Sequence, residues 1–379
     1  LAISVFDAIS SKFNSRIFCA NDAREIARRK LPKLVFDYID GAAGREVAAQ
    51  HNEAYFDTIA LQSRVMRPAS PRNQGTNLLG VSYSQPFGIA PMGMCNIVWA
   101  GADQMLARAS KAFNIPLCLS SAASSSIEDM RRWAGEQAWF QLYVAGSIET
   151  AMDMVDRAEA AGYDHLILTV DVPQVARRKR DERNGFKMPF RFGPRQLVDF
   201  AVHPHWSLST LTNGSPKPRN FVNGFDRKAS RTGADWQFLD HLRKRWKGKL
   251  IVKGVTSSVD AIQIKNAGID AIYVSNHGGR QLDAQLPAIA ILPHIREAVG
   301  PDYPLIFDSG VRSGEDVVRA LTLGANFVML GRPLLFAIGA ERESGLFNFL
   351  SLVEEDISVT LAQLGIYQID QLLRNLSIT

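Results

Sequence analysis

Apolar and polar positions alternate in a regular pattern from residue 86 onward. Apolar runs of strand length are each followed by a stretch with amphipathic helical spacing. Because a helix between successive strands makes the strands parallel, this pattern predicts a (β/α)₈ TIM barrel, an α/β fold; an open doubly wound sheet is the alternative. The eight runs are Phe87–Ala90, Pro116–Leu119, Trp139–Tyr143, Leu166–Val170, Leu250–Lys253, Ala271–Val274, Leu305–Asp308 and Phe327–Leu330.

The remaining segments flank this predicted barrel core at 86–345. Residues 1–80 have the spacing of helices and loops ahead of any strand, and residues 346–379 have the spacing of C-terminal helices. The interval 179–240, after the fourth strand, is far longer than the roughly two to six residues usual for such a loop. A lid, a membrane-surface segment and an insertion packed on the barrel mouth are all compatible with its mixture of cations, aromatics and turn residues. We predict a single domain over 1–379.

Composition narrows the class of partner. The chain has 379 residues, 46% hydrophobic and 21% charged, with a net charge of +5. This positive charge suits an acidic small molecule, an anionic cofactor or a membrane surface as partner. A nucleic acid is not indicated, because the sequence has no basic run interleaved with aromatic residues. Cys19, Cys95 and Cys118 have no metal or disulfide spacing, which is typical of a reducing compartment. We expect a cytoplasmic protein, with peripheral contact with the inner face of the cell membrane through 179–240 as one interpretation.

Polar side chains and glycines follow every predicted strand. In a parallel barrel these carboxyl ends meet at one rim, where TIM-barrel active sites are built. The pattern therefore predicts a single site made from all eight strand ends. They are Pro91-Met92-Gly93, Ser120-Ser121, Gln141 with Tyr143, Thr169 with Asp171, Lys253-Gly254, Ser275 with His277, Asp308-Ser309-Gly310, and Gly331-Arg332.

The turn after the sixth strand combines a histidine, two glycines and an arginine. Gly278 and Gly279 allow a positive φ, so the turn can aim His277 and Arg280 at the same small volume. An imidazole beside a fixed guanidinium suits the removal of a proton from a molecule held by its carboxylate. Considered alone, this motif could also be a loop histidine without a catalytic role. The polar residues at the other strand ends favour the catalytic interpretation.

The loops after the last two strands indicate a phosphate. In barrels these loops often bind phosphate through backbone N–H groups, and Arg312 and Arg332 would add charge-assisted bonds. Asp308 can accept a hydrogen bond from a ribityl hydroxyl. Lys253 would be nearly buried and needs a partner, which a flavin ring that becomes anionic on reduction would supply. No Gly-x-Gly-x-x-Gly opens the first βαβ unit, so a dinucleotide is not indicated.

The stretch Ser275–Asp283, with the sequence SNHGGRQLD, resembles the signature of the FMN-dependent L-2-hydroxy-acid oxidoreductases. This family includes glycolate oxidase, flavocytochrome-type lactate dehydrogenase and mandelate dehydrogenase. The likeness runs from Leu31-Pro32-Lys33 to the tail and includes Trp139–Val144, Leu168–Asp171 and Leu330–Arg332. The resemblance implies FMN as cofactor and oxidation of a lactate- or mandelate-like L-2-hydroxy acid to the 2-oxo acid.

The same resemblance implies catalytic roles for four residues. His277 matches the base, and Asp171 matches the carboxylate that stabilises its protonated form. Tyr38 and Tyr143 match the two hydroxyl donors near the substrate, although Tyr38 alone would be interpreted as a core residue.

Binding roles follow in the same way. Arg178 and Arg280 match the clamp on the substrate carboxylate, and Arg178 is favoured over Arg177 by its spacing to Asp181. Lys253 matches the cation beside flavin N1 and O2. The remaining expected flavin contacts are Pro91, Met92, Gly93, Ser120, Gln141, Thr169, Ser275, Asp308, Gly310, Arg312, Gly331 and Arg332.

Two positions bear on the subtype within the family. Ala122 stands where glycolate-oxidising members usually carry tryptophan, which leaves room at this substrate contact for a substituent larger than hydrogen. Gly93 stands where many members carry alanine, and with His203–Leu208 it resembles the membrane-associated bacterial lactate and mandelate dehydrogenases. We expect a dehydrogenase with a quinone or cytochrome acceptor. An oxidase that reduces O₂ to H₂O₂ and an FMN-barrel isomerase are the alternatives. The resemblance also implies a homo-oligomer, since homotetramers are common among relatives.

Overall fold

A computed structural model describes residues 15–67, 70–186, 193–214, 216–221 and 229–374. Strands are numbered in chain order, and the first pair, β1 (Thr76–Leu78) and β2 (Val81–Tyr83), is antiparallel. Eight parallel strands then close into a barrel in the order β10-β3-β4-β5-β6-β7-β8-β9, so the open sheet is excluded. They are β3 (Phe87–Met92), β4 (Leu117–Ser120), β5 (Ala138–Leu142), β6 (His165–Thr169), β7 (Lys249–Val255), β8 (Ala271–Val274), β9 (Leu305–Phe307) and β10 (Phe327–Leu330).

Helices flank and surround this barrel. Each of the eight predicted apolar runs forms a strand, because its apolar residues are buried on both faces of the sheet. The α-helices of the described residues are α1 (Ala20–Lys30), α2 (Lys33–Asp40), α3 (Val47–Ala54), α4 (Ala102–Phe113), α5 (Ile127–Ala134), α6 (Ile148–Ala160), α7 (Lys179–Arg183), α8 (Pro194–Ala201), α9 (Pro204–Asn213), α10 (Trp236–Arg245), α11 (Ser258–Asn266), α12 (Ala288–Val299), α13 (Gly314–Thr322), α14 (Arg332–Leu364) and α15 (Asp370–Arg374). Short 3₁₀ turns lie at Tyr55–Thr58, Cys95–Ile97, Gly135–Gln137 and His277–Gly279.

The β1–β2 hairpin seals the amino-terminal end of the barrel. Tyr83 accepts a hydrogen bond from Trp139 Nε1 at 3.2 Å, and its ring packs edge-on against Phe327. The prediction of helices and loops only up to residue 80 was wrong here. Each strand has only three residues, too few for an alternating pattern, and the turn forms because Leu79 and Gly80 both adopt positive φ. The carboxyl-terminal end remains the accessible mouth.

Two predicted boundaries are placed differently by the structure. The boundary at 345/346 falls inside α14, which is interrupted instead at Glu341 and Arg342. The predicted end of the inserted segment at residue 240 falls inside α10. This helix belongs to the outer helical layer of the barrel, because its Phe238 and Leu242 are buried. Within 179–240, the insertion itself contains α7 to α9. Residues 1–14 and 375–379 of the predicted terminal segments lie outside the described residues. Across the described ranges, no helix combines the length and apolarity that crossing a membrane requires.

Candidate active site

A cavity of about 210 Å³ opens at the carboxyl-terminal rim of the barrel. Its walls combine strand ends, the N-terminal helix α2 and the segment between β6 and β7. Most of the predicted site residues converge on it. The lining includes Tyr38, Pro91, Met92, Gly93, Ser120, Ala122, Tyr143, Val172, Val175, Arg178, Phe186, Arg231, Lys253, His277, Arg280, Asp308, Ser309, Gly310, Arg312, Gly331 and Arg332.

His277 lies between a carboxylate and a tyrosine. Its Nδ1 is 3.1 Å from both carboxylate oxygens of Asp171, and its Nε2 is 3.3 Å from the Tyr143 hydroxyl. The Asp171 carboxylate accepts a hydrogen bond from Nδ1–H, which leaves Nε2 as the basic nitrogen of the neutral ring. Burial lowers the pKa of His277, although Asp171 acts in the opposite direction. The ring is therefore neutral near pH 7 and available as a base.

The turn that carries His277 is strained and is held from two sides. His277 and Ser309 both adopt positive φ, at 58° and 93°, a conformation that costs a non-glycine residue about 1–3 kcal/mol. The Ser309 hydroxyl accepts hydrogen bonds from the backbone N–H groups of Gly278 and Asn276, at 3.0 and 3.3 Å. The side-chain amides of Asn276 and Asn52 in α3 exchange two hydrogen bonds of 2.8 Å. The N-terminal extension therefore supports the His277 turn directly.

Only glycine fits at the centre of this contact. A Cβ on Gly279, which has a φ of +75°, would stand 2.4 Å from the backbone nitrogen of Ala49 in α3. The sequence predicted glycine here because the turn needs a positive φ. The structure adds a second reason, which the sequence did not reveal: the backbone of Ala49 leaves no space for a side chain at Gly279.

The two neighbouring arginines after β6 have different environments. Arg178 lines the cavity at the start of α7. The side chain of Arg177 is 83% exposed and pairs with Glu182 at 3.0 Å. Helix α7 is itself anchored by Arg180, which donates to Asp40 of α2 at 2.6 Å. This arrangement supports the expectation that Arg178, rather than Arg177, reaches the substrate.

Arg280 joins the cavity to the end of α2. Its guanidinium donates to the main-chain carbonyls of Tyr38 and Ile39, at 3.0 and 3.2 Å, and to that of Gly41. Tyr38 in turn donates from its hydroxyl to the carbonyl of Gly93 at 3.2 Å. Tyr38 therefore lies in the site, where its phenol and Arg280 form two adjacent parts of the cavity wall.

A buried polar network lies beneath the cavity. Lys253 Nζ donates to Ser275 Oγ at 2.7 Å and is 3.1 Å from Asp308 Oδ2. Burial opposes ionisation of Asp308, but Lys253 and the hydrogen bond from Ser275 outweigh it, so the pKa of this carboxyl is lowered. The partner that Lys253 was expected to find in the flavin ring is therefore already present within the protein, as the Asp308 carboxylate.

Other buried polar atoms point to a cofactor. Both amide atoms of Gln141 and the hydroxyl of Thr169 are buried without a hydrogen-bond partner among the described residues. Such atoms are costly unless paired, and a flavin edge offers both donors and acceptors. On the opposite side, burial lowers the pKa of Arg332 to about 10. A phosphate beside this guanidinium would compensate its burial, so the residues present fit an FMN.

Several residues of the site carried no recognisable sequence signal. Phe186 stacks on Tyr38 with ring centroids 4.6 Å apart, and Arg231 contributes a further guanidinium to the cavity. Both come from the long segment after β6, where no motif marks them. Ser309 belongs to the polar strand end Asp308-Ser309-Gly310, but its hydrogen bonds to the His277 turn depend on contacts that exist only in the folded protein.

Known proteins resemble the chain over nearly its whole length. The profile of a family described as FMN-dependent dehydrogenase matches residues 27–378. The chain belongs to this family. (S)-Mandelate dehydrogenase from Pseudomonas putida is 37% identical over 362 residues, covering 93% of this chain and 91% of the relative. L-Lactate dehydrogenase from Pseudomonas syringae pv. syringae (strain B728a) is 35% identical over 369 residues, covering 94% and 97%.

A solved structure shows the same architecture. It is described as the monotopic membrane protein (S)-mandelate dehydrogenase, and it superposes with a TM-score of 0.90 at 36% identity, covering 94% of this chain and 98% of that one. The predictions of a TIM barrel, of FMN and of an oxidoreductase are therefore confirmed for this FMN-dependent dehydrogenase. The roles of its individual residues stay predictions.

Proposed function

We propose that this enzyme oxidises an L-2-hydroxy acid of lactate- or mandelate-like size to the 2-oxo acid, with His277 as the base. The observation that carries the proposal is the position of His277 Nε2 at a cavity that Arg178 and Arg280 also line, with Asp171 3.1 Å behind the imidazole. FMN, when bound, supplies the two-electron acceptor for this oxidation. The names of the similar lactate and mandelate dehydrogenases support the substrate class.

Each side chain has a distinct task in this proposal. Arg178 and Arg280 hold the substrate carboxylate, which sets the orientation of the α-carbon. Tyr38 and Tyr143 place their hydroxyls beside the substrate oxygen. His277 Nε2 accepts one proton, from the α-carbon or from the hydroxyl, and the Asp171 carboxylate stabilises the resulting imidazolium.

The substituent of the substrate would face a mainly apolar wall. Ala122, Val175 and Phe186 line the cavity. The methyl group of Ala122 leaves space that a larger side chain would fill, which supports a methyl or phenyl substituent over hydrogen. Lactate and mandelate are therefore favoured over glycolate.

The pH dependence of kcat/KM should report the ionisation of His277. The base must be neutral, and burial lowers its pKa, so we expect activity to persist below about pH 6.5, the ordinary histidine value, and to fall only at more acidic pH. Asp171→Asn removes a group that raises this pKa. That variant should move the acid limb to still lower pH and reduce the plateau about a hundredfold. An acid limb displaced to higher pH would contradict this assignment.

We propose further that the electron acceptor is a quinone or a cytochrome. Gly93 supports this through the dehydrogenase resemblance, and the two relatives compared above, at 37% and 35% identity, are named dehydrogenases. The oxidase alternative would need O₂ to react rapidly with the reduced enzyme.

Substrate and acceptor can be tested on one sample. The purified holoenzyme is mixed anaerobically with L-lactate, then L-mandelate, while the flavin absorbance is followed, and is afterwards exposed to air or to a soluble quinone. We expect bleaching, slow recolouring in air with little peroxide, and fast recolouring with the quinone. Rapid recolouring with stoichiometric peroxide would establish an oxidase. No bleaching by any L-2-hydroxy acid would reject the proposed substrate class.

An exposed apolar surface supports peripheral membrane contact. Five large apolar side chains on or directly beside α8 and α9 are each more than half exposed: Leu197, Val198, Val202, Leu208 and Leu211. The same segment is fastened to the barrel mouth, because Trp206 Nε1 donates to the carbonyl of Ile97 at 2.9 Å. We propose that this surface, the α8–α9 face, rests on the inner surface of the cell membrane, where a quinone is available.

Charge on the α8–α9 face should abolish this contact. Val198→Glu combined with Leu211→Glu should lower co-sedimentation with phosphatidylglycerol vesicles about tenfold, because buried carboxylates are unfavourable in the acyl region. Turnover with a soluble acceptor should be unchanged. Val259→Glu in α11, at a similarly exposed valine outside this segment, is the matched control. Unchanged vesicle binding by the double variant would remove the α8–α9 face from the proposal.

We also propose that the subunits assemble into a homo-oligomer. The family resemblance supports this assembly, and a homotetramer is the form expected from it. The mass of the holoenzyme from light scattering tests this, and a monomeric mass would reject it.

A further inference from the structure

Arg231 is buried in the site although it belongs to the segment after β6 rather than to a strand end. It is 6% exposed, and its guanidinium carbon lies 5.2 Å from the ring centroid of Tyr143. Its backbone N–H donates to the carbonyl of Pro173 at 3.0 Å, in the loop after β6. The adjacent Ser230 carbonyl accepts from Gly146 N–H at 3.3 Å, in the loop after β5. Arg231 is thus held between two rim loops.

Tyr143 is a group of the site that Arg231 contacts. The Tyr143 hydroxyl is 3.3 Å from His277 Nε2, and the ring centroids of the two residues are 6.4 Å apart. The backbone N–H of Tyr143 donates to Ser121 Oγ at 3.2 Å, so its main chain is fixed. The direction of the hydroxyl then depends on two side-chain torsions, χ1 and χ2. A planar guanidinium against the ring restrains both torsions.

The charge of Arg231 also acts on the phenol. Burial and Asp171 raise the pKa of Tyr143, whereas Arg231 and Arg178 oppose this rise. The hydroxyl therefore stays protonated near neutral pH, and the nearby cations make it a better hydrogen-bond donor. A donor beside the base is useful only when its direction is set, which again depends on the ring.

We propose that Arg231 is a positioning residue whose guanidinium holds the Tyr143 ring so that its hydroxyl faces the reacting atoms beside His277 Nε2. This inference rests on the proposed function. It separates Arg231 from Arg178 and Arg280, because its contact is with a protein ring and the substrate carboxylate is held by the other two arginines. Arg231 therefore affects catalysis only while Tyr143 carries its hydroxyl.

A double-mutant cycle tests this dependence. Arg231→Met removes the charge and the planar group, and Tyr143→Phe removes the hydroxyl but keeps the ring. The rate of anaerobic flavin bleaching at saturating substrate is measured for the wild type, both single variants and the double variant, each corrected for its FMN content. We expect Arg231→Met to lower this rate about tenfold. In the Tyr143→Phe background the same change should lower it less than about twofold, since no hydroxyl remains to be directed.

Arg231→Lys supplies a second route to the same answer. It keeps a cation near the ring but lacks the planar guanidinium, so its rate should lie between those of the wild type and Arg231→Met, and it should again have no effect in the Tyr143→Phe background. Losses that multiply in the double variant, with either substitution, would overturn the inference and indicate direct substrate contact. An unchanged rate in Arg231→Met would overturn it as well. If the wild type itself is not bleached, the proposed function has failed, which is a separate outcome.

Discussion

His277→Gln should lower turnover by about three to four orders of magnitude while the protein still binds FMN. Glutamine can donate to Asp171 but has no basic nitrogen, so the proton acceptor of the reaction is lost, and general-base catalysis contributes about 10²–10⁴-fold. The Asp171 carboxylate, which lies 3.1 Å from Nδ1 of the neutral ring, would also have no imidazolium to stabilise during the reaction. The measurement is the rate of anaerobic flavin bleaching at saturating substrate, with bound FMN quantified from its absorbance.

A second histidine provides the control for this variant. His294 is exposed on α12, so His294→Gln should keep the wild-type rate. Position 277 adopts a positive φ that histidine tolerates slightly better than glutamine, so the unfolding temperature of His277→Gln should be only a few degrees below that of His294→Gln. Turnover close to that of the wild type in His277→Gln would exclude His277 as the base.

Arg178→Met should reduce kcat/KM about a hundredfold to a thousandfold. Loss of one partner of a buried, hydrogen-bonded charge pair costs about 2–5 kcal/mol, part of it from the substrate carboxylate left without its partner. The effect should appear in KM and in the inhibition constant of the 2-oxo acid product, because the carboxylate is held in both the ground state and the transition state.

The adjacent Arg177 makes an internal control for the clamp. Its side chain is 83% exposed and its ion pair with Glu182 lies at the surface, where such pairs contribute at most about 1 kcal/mol. Arg177→Met should therefore leave kcat/KM within about twofold of the wild type. The reverse result, a large loss for Arg177 and a small one for Arg178, would show that the other arginine reaches the substrate.

The barrel could be predicted because its information is local. Each apolar run has the length of a strand and is followed by a helical spacing, and the closed sheet contains all eight runs. The errors occur where that information is weak. Strands β1 and β2 have three residues each, and α14 continues through a break at Glu341 and Arg342, two residue types that favour a helix.

The motif around His277 was recognisable, but part of its meaning was not. Asp283 ends the signature, and its carboxylate accepts from the backbone N–H groups of Arg45 and Ala48, at 2.6 and 3.2 Å. It therefore caps the start of α3, which in turn supports the His277 turn through Asn52. No local pattern connects residues 238 positions apart, so this function of Asp283 could not be read from the chain.

The sequence of neighbouring residues was sufficient to predict the barrel, its polar rim and the turn at His277, because hydrophobic periodicity and turn chemistry act over a few residues. The tertiary fold alone stacks Phe186 on Tyr38, places Arg231 against Tyr143 and brings Asn52 to the His277 turn. These are decided by which surfaces meet when helices and long loops pack on the barrel mouth. Packing contacts of this kind depend on three-dimensional shape and leave no periodic mark in the sequence.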